Sequence, residues 1–228
     1  GILTTPVAGR YTLIVEGRIY ENATNTTSYA FTLRERVVTQ QALVIGQTVN
    51  TVLGSSYGRD EYTFSLSAQT DLIFDNLANA SDARLQILKN GQILREINLG
   101  SADSADTGTA PWLRLGPGDY TVAVIPQPNT AARPDYAFRL LPAAEAELIT
   151  LDTPVTGTLD TARQTRAYRF DGVAGTTVTF TATSQGGAAN NGIYFRVMDA
   201  FGREVQRTTY LQNGTQLVLP RDEVYTIL

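Results

Sequence analysis

Apolar residues recur at every second position through most of this chain, in short runs separated by turn-forming residues. Tyr120, Val122 and Val124 form one such set and Tyr136, Phe138 and Leu140 another, which puts each set on one face of an extended strand. Gly116-Pro-Gly118 supplies a tight turn into the first strand. The same alternation marks Tyr62, Phe64 and Leu66, and then Leu72 and Phe74. Asn90-Gly91 lies between the apolar stretches Leu85–Leu88 and Ile93–Ile97, a strong hairpin signal. Leu43 to Leu53 reads as a short strand, a turn at Gly46 and a second strand. Ala143–Glu147 is the only short helix-compatible stretch and reads as a linker. The pattern predicts an all-β protein.

The pattern also repeats. Tyr62 and Tyr168 are 106 positions apart, Tyr120 and Tyr225 are 105, Tyr11 and Tyr120 are 109, and Tyr29 and Tyr136 are 107. A period of that length is too long for a solenoid and matches a whole small β-domain. The expected organisation is tandem jelly-roll or immunoglobulin-like β-sandwiches of about 105–109 residues. Residues 1–37 would hold the closing hairpin of a first domain, Tyr11-Thr-Leu13-Ile-Val15 with Tyr29-Ala-Phe31-Thr-Leu33. Residues 38–143 would form a complete domain, and residues 144–228 a domain without its last Tyr-x-Phe-x-Leu strand.

Composition narrows the chemistry. The chain has no cysteine and no histidine, which removes disulfides, thiolate metal sites and any Ser-His-Asp or Cys-His catalytic set. Lys89 is the one lysine among 18 basic residues, the net charge is −4, and no basic cluster marks a nucleic-acid surface. No apolar run approaches the roughly 18 residues of a membrane span, and Gly1–Pro6 is no signal peptide, so an export signal would lie outside this segment. Asp60, Asp71, Asp75, Asp119, Asp152 and Asp160 fall at predicted turns and strand ends, where Asp makes local hydrogen bonds, so no catalytic carboxylate pair is expected.

Two features invite a ligand. Asp103-Ser-Ala-Asp106 in a Ser/Gly-rich loop offers hard oxygen donors for calcium, without the dense spacing of an EF-hand loop, and a solvated loop is the competing reading. Leu113 and Leu115 align with Leu217 and Leu219, so Trp112 aligns with Gln216. A position that accepts Gln is expected to be exposed, and an exposed Trp would stack on a sugar ring or anchor a protein partner. The competing reading has Trp112 covering an interdomain contact or the loop at 100–110. Tyr120, entered through Gly116-Pro-Gly118, reads as a tyrosine corner. The sequons at Asn22, Asn25, Asn79 and Asn213 read as loop composition.

The residues Gly46-Gln-Thr-Val49, Asp60-Glu-Tyr62-Thr-Phe64, Asn90-Gly91, Gly118-Asp-Tyr120-Thr-Val122 and Tyr136-Ala-Phe138 resemble the bacterial pre-peptidase C-terminal family. Gly157-Thr-Leu159, Tyr168-Arg-Phe170 and Tyr225-Thr-Ile227 repeat the resemblance. It implies sandwich modules of large secreted and surface proteins, some calcium-binding, with no catalytic residues to carry over. The expected role is therefore non-catalytic: a spacer or stalk outside the cell or on its surface, with adhesion to a glycan or matrix protein as an added role. The expected partners are neighbouring domains or copies of the same chain, with neither nucleic acid nor membrane insertion. Two alternatives are a fibre subunit completed head-to-tail by donated strands, and an accessory substrate-binding domain of a secreted hydrolase.

Overall fold

A computed structural model describes residues 7–17, 26, 28–101, 112–127, 133–161, 163–181, 194–206 and 214–228, with backbone alone at 207–208. The chain divides into two compact units, Gly1–Arg34 and Glu35–Leu228.

The larger unit opens with nine strands: β1 (Val38–Ala42), β2 (Val49–Val52), β3 (Arg59–Leu66), β4 (Thr70–Asn76), β5 (Ala83–Lys89), β6 (Gln92–Asn98), β7 (Trp112–Leu115), β8 (Gly118–Pro126) and β9 (Asp135–Pro142). They form two sheets, ordered β1-β3-β8-β5-β6 and β2-β9-β4-β7. The period-two positions meet between them. Tyr62, Phe64, Leu85, Ile87, Tyr120 and Val122 of one sheet share a core with Leu72, Phe74, Leu113, Tyr136, Phe138 and Leu140 of the other. Burial of that alternating face is what fixes the register, since a one-residue slip would turn every apolar side chain outward. The β5–β6 turn is the Asn90-Gly91 hairpin, with positive φ at both residues (51° and 77°) as a tight primed turn requires.

After a 3-10 turn at Ala143–Glu145 come β10 (Glu147–Leu148), β11 (Tyr168–Gly172), β12 (Thr177–Phe180), β13 (Phe195–Met198), β14 (Glu204–Thr208), β15 (Thr215–Val218) and β16 (Glu223–Ile227). Their sheets are β10-β11-β16-β13-β14 and β12-β15. The pairing repeats the first set residue by residue. Tyr62 faces Val122 and Tyr168 faces Ile227, while Phe64 faces Tyr120 and Phe170 faces Tyr225. Both Phe–Tyr pairs stack with ring centroids 5.4 Å apart. A register shift follows Ile87 in one set and Val197 in the other. The core of the second set gathers Phe170, Phe195, Val197, Leu217, Leu219 and Tyr225.

The tyrosine corner is present at Tyr120, whose hydroxyl donates to the Gly116 carbonyl at 2.8 Å. Tyr225 repeats it, donating to the Arg221 carbonyl at 3.0 Å. In the smaller unit Tyr11 bonds to the Val7 carbonyl, also four residues back.

Three expectations need correction. The strand foreseen at Leu43–Ile45 lies earlier, at Val38–Ala42, and pairs in parallel with β3. It is an edge strand exposed on both faces, so no alternation marked it. Residues 151–159 begin with a turn and carry no strand. The hairpin Tyr11–Val15 with Tyr29–Leu33 carries no strand among the described residues, and its apolar side chains stand in solvent. Period two sets which face a side chain takes; ladder formation also needs a partner sheet to bury that face.

Candidate functional site

Trp112 is the residue the sequence singled out, and it corrects the expectation of exposure: only 8% of its surface is accessible. It opens β7 on the far side from Leu113, so its ring leaves the first core and meets the second set of strands. There it packs with Ile73, Ala143 and Met198, with Leu141, Ala167 and Leu228 against the same cluster. Gly202, at φ +76°, lies flat against the indole, and a Cβ built there would fall 2.7 Å from Trp112 Cε3. The tight Asp199–Arg203 turn makes that approach possible. The Asp199 carboxylate accepts from the Phe201 and Arg203 amides and from Arg203 Nε. Burial opposes ionisation of Asp199, yet these bonds hold its carboxyl below the ordinary value.

The alignment of Trp112 with Gln216 was sound within a single sandwich, since Gln216 is indeed exposed. It failed because Trp112 is covered by residues 90 positions downstream, a contact that no local pattern records. The structure thus brings Trp112 to a joint and does not present its ring to solvent.

Two polar links flank the joint. Asp75, fully buried in β4, accepts from Arg139 Nε at 2.6 Å and from the Thr165 amide at 2.9 Å. Arg139 also donates to the Thr165 carbonyl at 3.2 Å. Arg114 forms a two-pronged pair with Asp71 and extends to the Ala200 carbonyl at 3.4 Å. Asp75 was expected to serve a local turn; its bonds are instead long-range. The same holds for Asp60. It accepts from Tyr136 at 2.8 Å, Thr39 at 2.6 Å and the Gly54 amide at 3.1 Å. Tyr62 and Tyr136 share a hydrogen bond of 2.6 Å, and burial, with the bonds to Tyr62 and Asp60, pushes the Tyr136 phenol far above its usual range. That network clasps the first sandwich, and its phenols stay protonated.

A shallow depression of about 450 Å³ lies over Thr63, Ser65, Asn90, Asp119 and Thr121. Within it Ser65 donates to Asp119 at 2.5 Å. Among the described residues no group of three acidic side chains is placed to hold a metal. The Asp103–Asp106 loop considered for calcium lies outside the described residues, as do Asn22, Asn25 and Asn213. Among the described residues no helix is long and apolar enough to cross a membrane.

No protein-family model matches the chain, and no curated protein does. Among solved structures it is similar to Aeromonas hydrophila PliG, a periplasmic inhibitor of g-type lysozyme. That likeness has 10% identity, covers 47% of this chain and 99% of that one, and gives a TM-score of 0.37. It is also similar to the pre-peptidase C-terminal domain of a Bacillus anthracis collagenase, at 14% identity over 48% of this chain and 99% of that one, with a TM-score of 0.33. At these values neither neighbour lends this chain an activity or a partner. The sheets described above carry the fold class by themselves: an all-β protein with sandwich packing.

Proposed function

We propose that this chain is a non-catalytic spacer segment of a secreted or cell-surface protein, built from pre-peptidase C-terminal-like sandwich modules. In this reading residues 38–143 and 144–228 are successive modules, and residues 1–37 belong to a preceding one. The observation that carries it is the joint. An apolar wedge, Trp112 on Gly202, is flanked by the buried Asp75–Arg139–Thr165 link and the Arg114–Ala200 contact. A flexible tether would leave neighbouring modules free to reorient; a sealed joint resists bending and holds them at one angle. The lack of histidine and cysteine supports the non-catalytic part of the reading.

The test uses the absence of native cysteine. Spin labels placed through Gln92→Cys and Asp171→Cys, both exposed, report the distance between the two strand sets. The spacer reading expects one narrow distance distribution that broadens in Trp112→Ala. A broad distribution in the otherwise native chain overturns it.

A further inference from the structure

The second strand set departs from the first at two positions that the shared ladder does not require. Met198 pairs with Glu204 where Leu88 pairs with Ile93, so the β13–β14 hairpin is one residue longer than the Asn90-Gly91 hairpin. The longer turn carries Phe201, whose ring is 56% exposed. The second departure is at the tyrosine corner, where Arg221 takes the place of Gly116. Both changes meet in space: the guanidiniums of Arg203 and Arg221 lie over the Phe201 ring, 5.4 and 5.5 Å from its centroid. Arg114 reaches the same turn at the Ala200 carbonyl. The first set builds its ladder without these residues, so the ladder does not account for them.

The three arginines present their charge outward. The Arg203 side chain is 61% exposed and that of its partner Asp199 2%; Arg114 is 37% exposed and its partner Asp71 21%. Arg221 stands in solvent, and Asp222 beside it turns its carboxylate to the Ala174 amide. Each position is also held in advance. Asp199 fixes the turn through the Phe201 and Arg203 amides, and the Tyr225 hydroxyl accepts from the Arg221 amide while donating to its carbonyl. With those main-chain groups occupied, a ligand meets side chains: one ring and the outer edges of the guanidiniums. That combination suits a sugar ring bearing a carboxylate, whose C–H face lies on aromatic and guanidinium planes while its anion pairs with arginine.

We propose that Phe201, Arg203, Arg221 and Arg114 form a binding platform for a polysaccharide rich in uronic acids. An acidic peptide would need main-chain partners, and here the Phe201, Gly202, Arg203 and Arg221 amides are already bonded. The platform stands beside the joint, with Arg114 supplied by β7 of the first set and the other three residues by the second. Arginines placed in advance lose little side-chain freedom on binding, which raises affinity without new contacts. This goes beyond the spacer reading, and it is tested by binding rather than by the angle between the strand sets.

The test is isothermal titration of the full 228-residue chain with tetragalacturonate, its fully methyl-esterified form and tetraglutamate. The expected result is saturable binding of tetragalacturonate alone. Arg221→Gln and Phe201→Ala each weaken it by about tenfold, the loss of one charge-assisted or stacking contact. Both variants keep the unfolding midpoint of the native chain, since both side chains are exposed. Arg10→Gln removes an exposed charge from the smaller unit and leaves the affinity unchanged. Absence of tetragalacturonate binding overturns the proposal. So does equal affinity for tetraglutamate or the methyl ester, undiminished binding in Arg221→Gln, or an equal loss in Arg10→Gln.

Discussion

The two strand sets of the larger unit repeat one ladder, and among the described residues the first alone has a strand at the place of β9. Each has a parallel edge strand, a Phe–Tyr stack at 5.4 Å and a tyrosine corner, in matching registers. They part where β9 closes the first set. There the Asp60–Tyr136–Tyr62 network ties the two sheets across the core, whereas in the second set Arg166 stands where Asp60 would be. Register therefore follows from local alternation and the corner, while closure follows from a strand far away in sequence.

The comparison can be broken at several strengths. The largest effect is expected at Phe138, fully buried at the centre of β9. Phe138→Ala should cost about 3–5 kcal/mol in chemical denaturation, while Phe180→Ala, on the partly buried strand of the second set, should cost much less. Trp112→Ala comes next, at about 3 kcal/mol, and it should split a single unfolding transition into two, because the joint couples the two cores. Tyr136→Phe removes one bond to Asp60 and one to Tyr62, for a loss of about 1–3 kcal/mol confined to the first set.

Tyr120→Phe and Tyr225→Phe should each cost about 1 kcal/mol, and by similar amounts, because the corner is the same in both sets. The smallest effect is in acid. The Asp199 carboxyl lies below its ordinary value of 3.8 in the folded chain. Its contribution is therefore full above that value and is lost as pH falls through the lowered one. Asp199→Asn should flatten the acid limb of a stability–pH curve measured on the second set.

Much of this was legible from residue order alone. Period two identified β3, β4, β8 and β9, Asn90-Gly91 between two apolar stretches identified the β5–β6 hairpin, and Gly116-Pro-Gly118 with Tyr120 identified a corner. The exposed edge strand β1 was misplaced because a strand wetted on both faces has no alternation to read. Tyr29-Ala-Phe31-Thr-Leu33 has the right alternation without a ladder, since alternation cannot supply the sheet that buries it. The joint was present in the sequence as the competing reading of Trp112, but its partners were hidden for another reason. Trp112 meets Gly202, and Asp75 meets Thr165, across 90 positions in each case, and a glycine chosen for its missing Cβ looks in sequence like any turn glycine.

The most direct test of one register in both strand sets is backbone amide hydrogen exchange on the dilute 228-residue chain. The account predicts comparable protection in β3 with β8 and in β11 with β16, strong protection in β4, and faster exchange in β12. Protection of β11 with β16 far below that of β3 with β8, or protection of β12 equal to that of β4, would contradict the account.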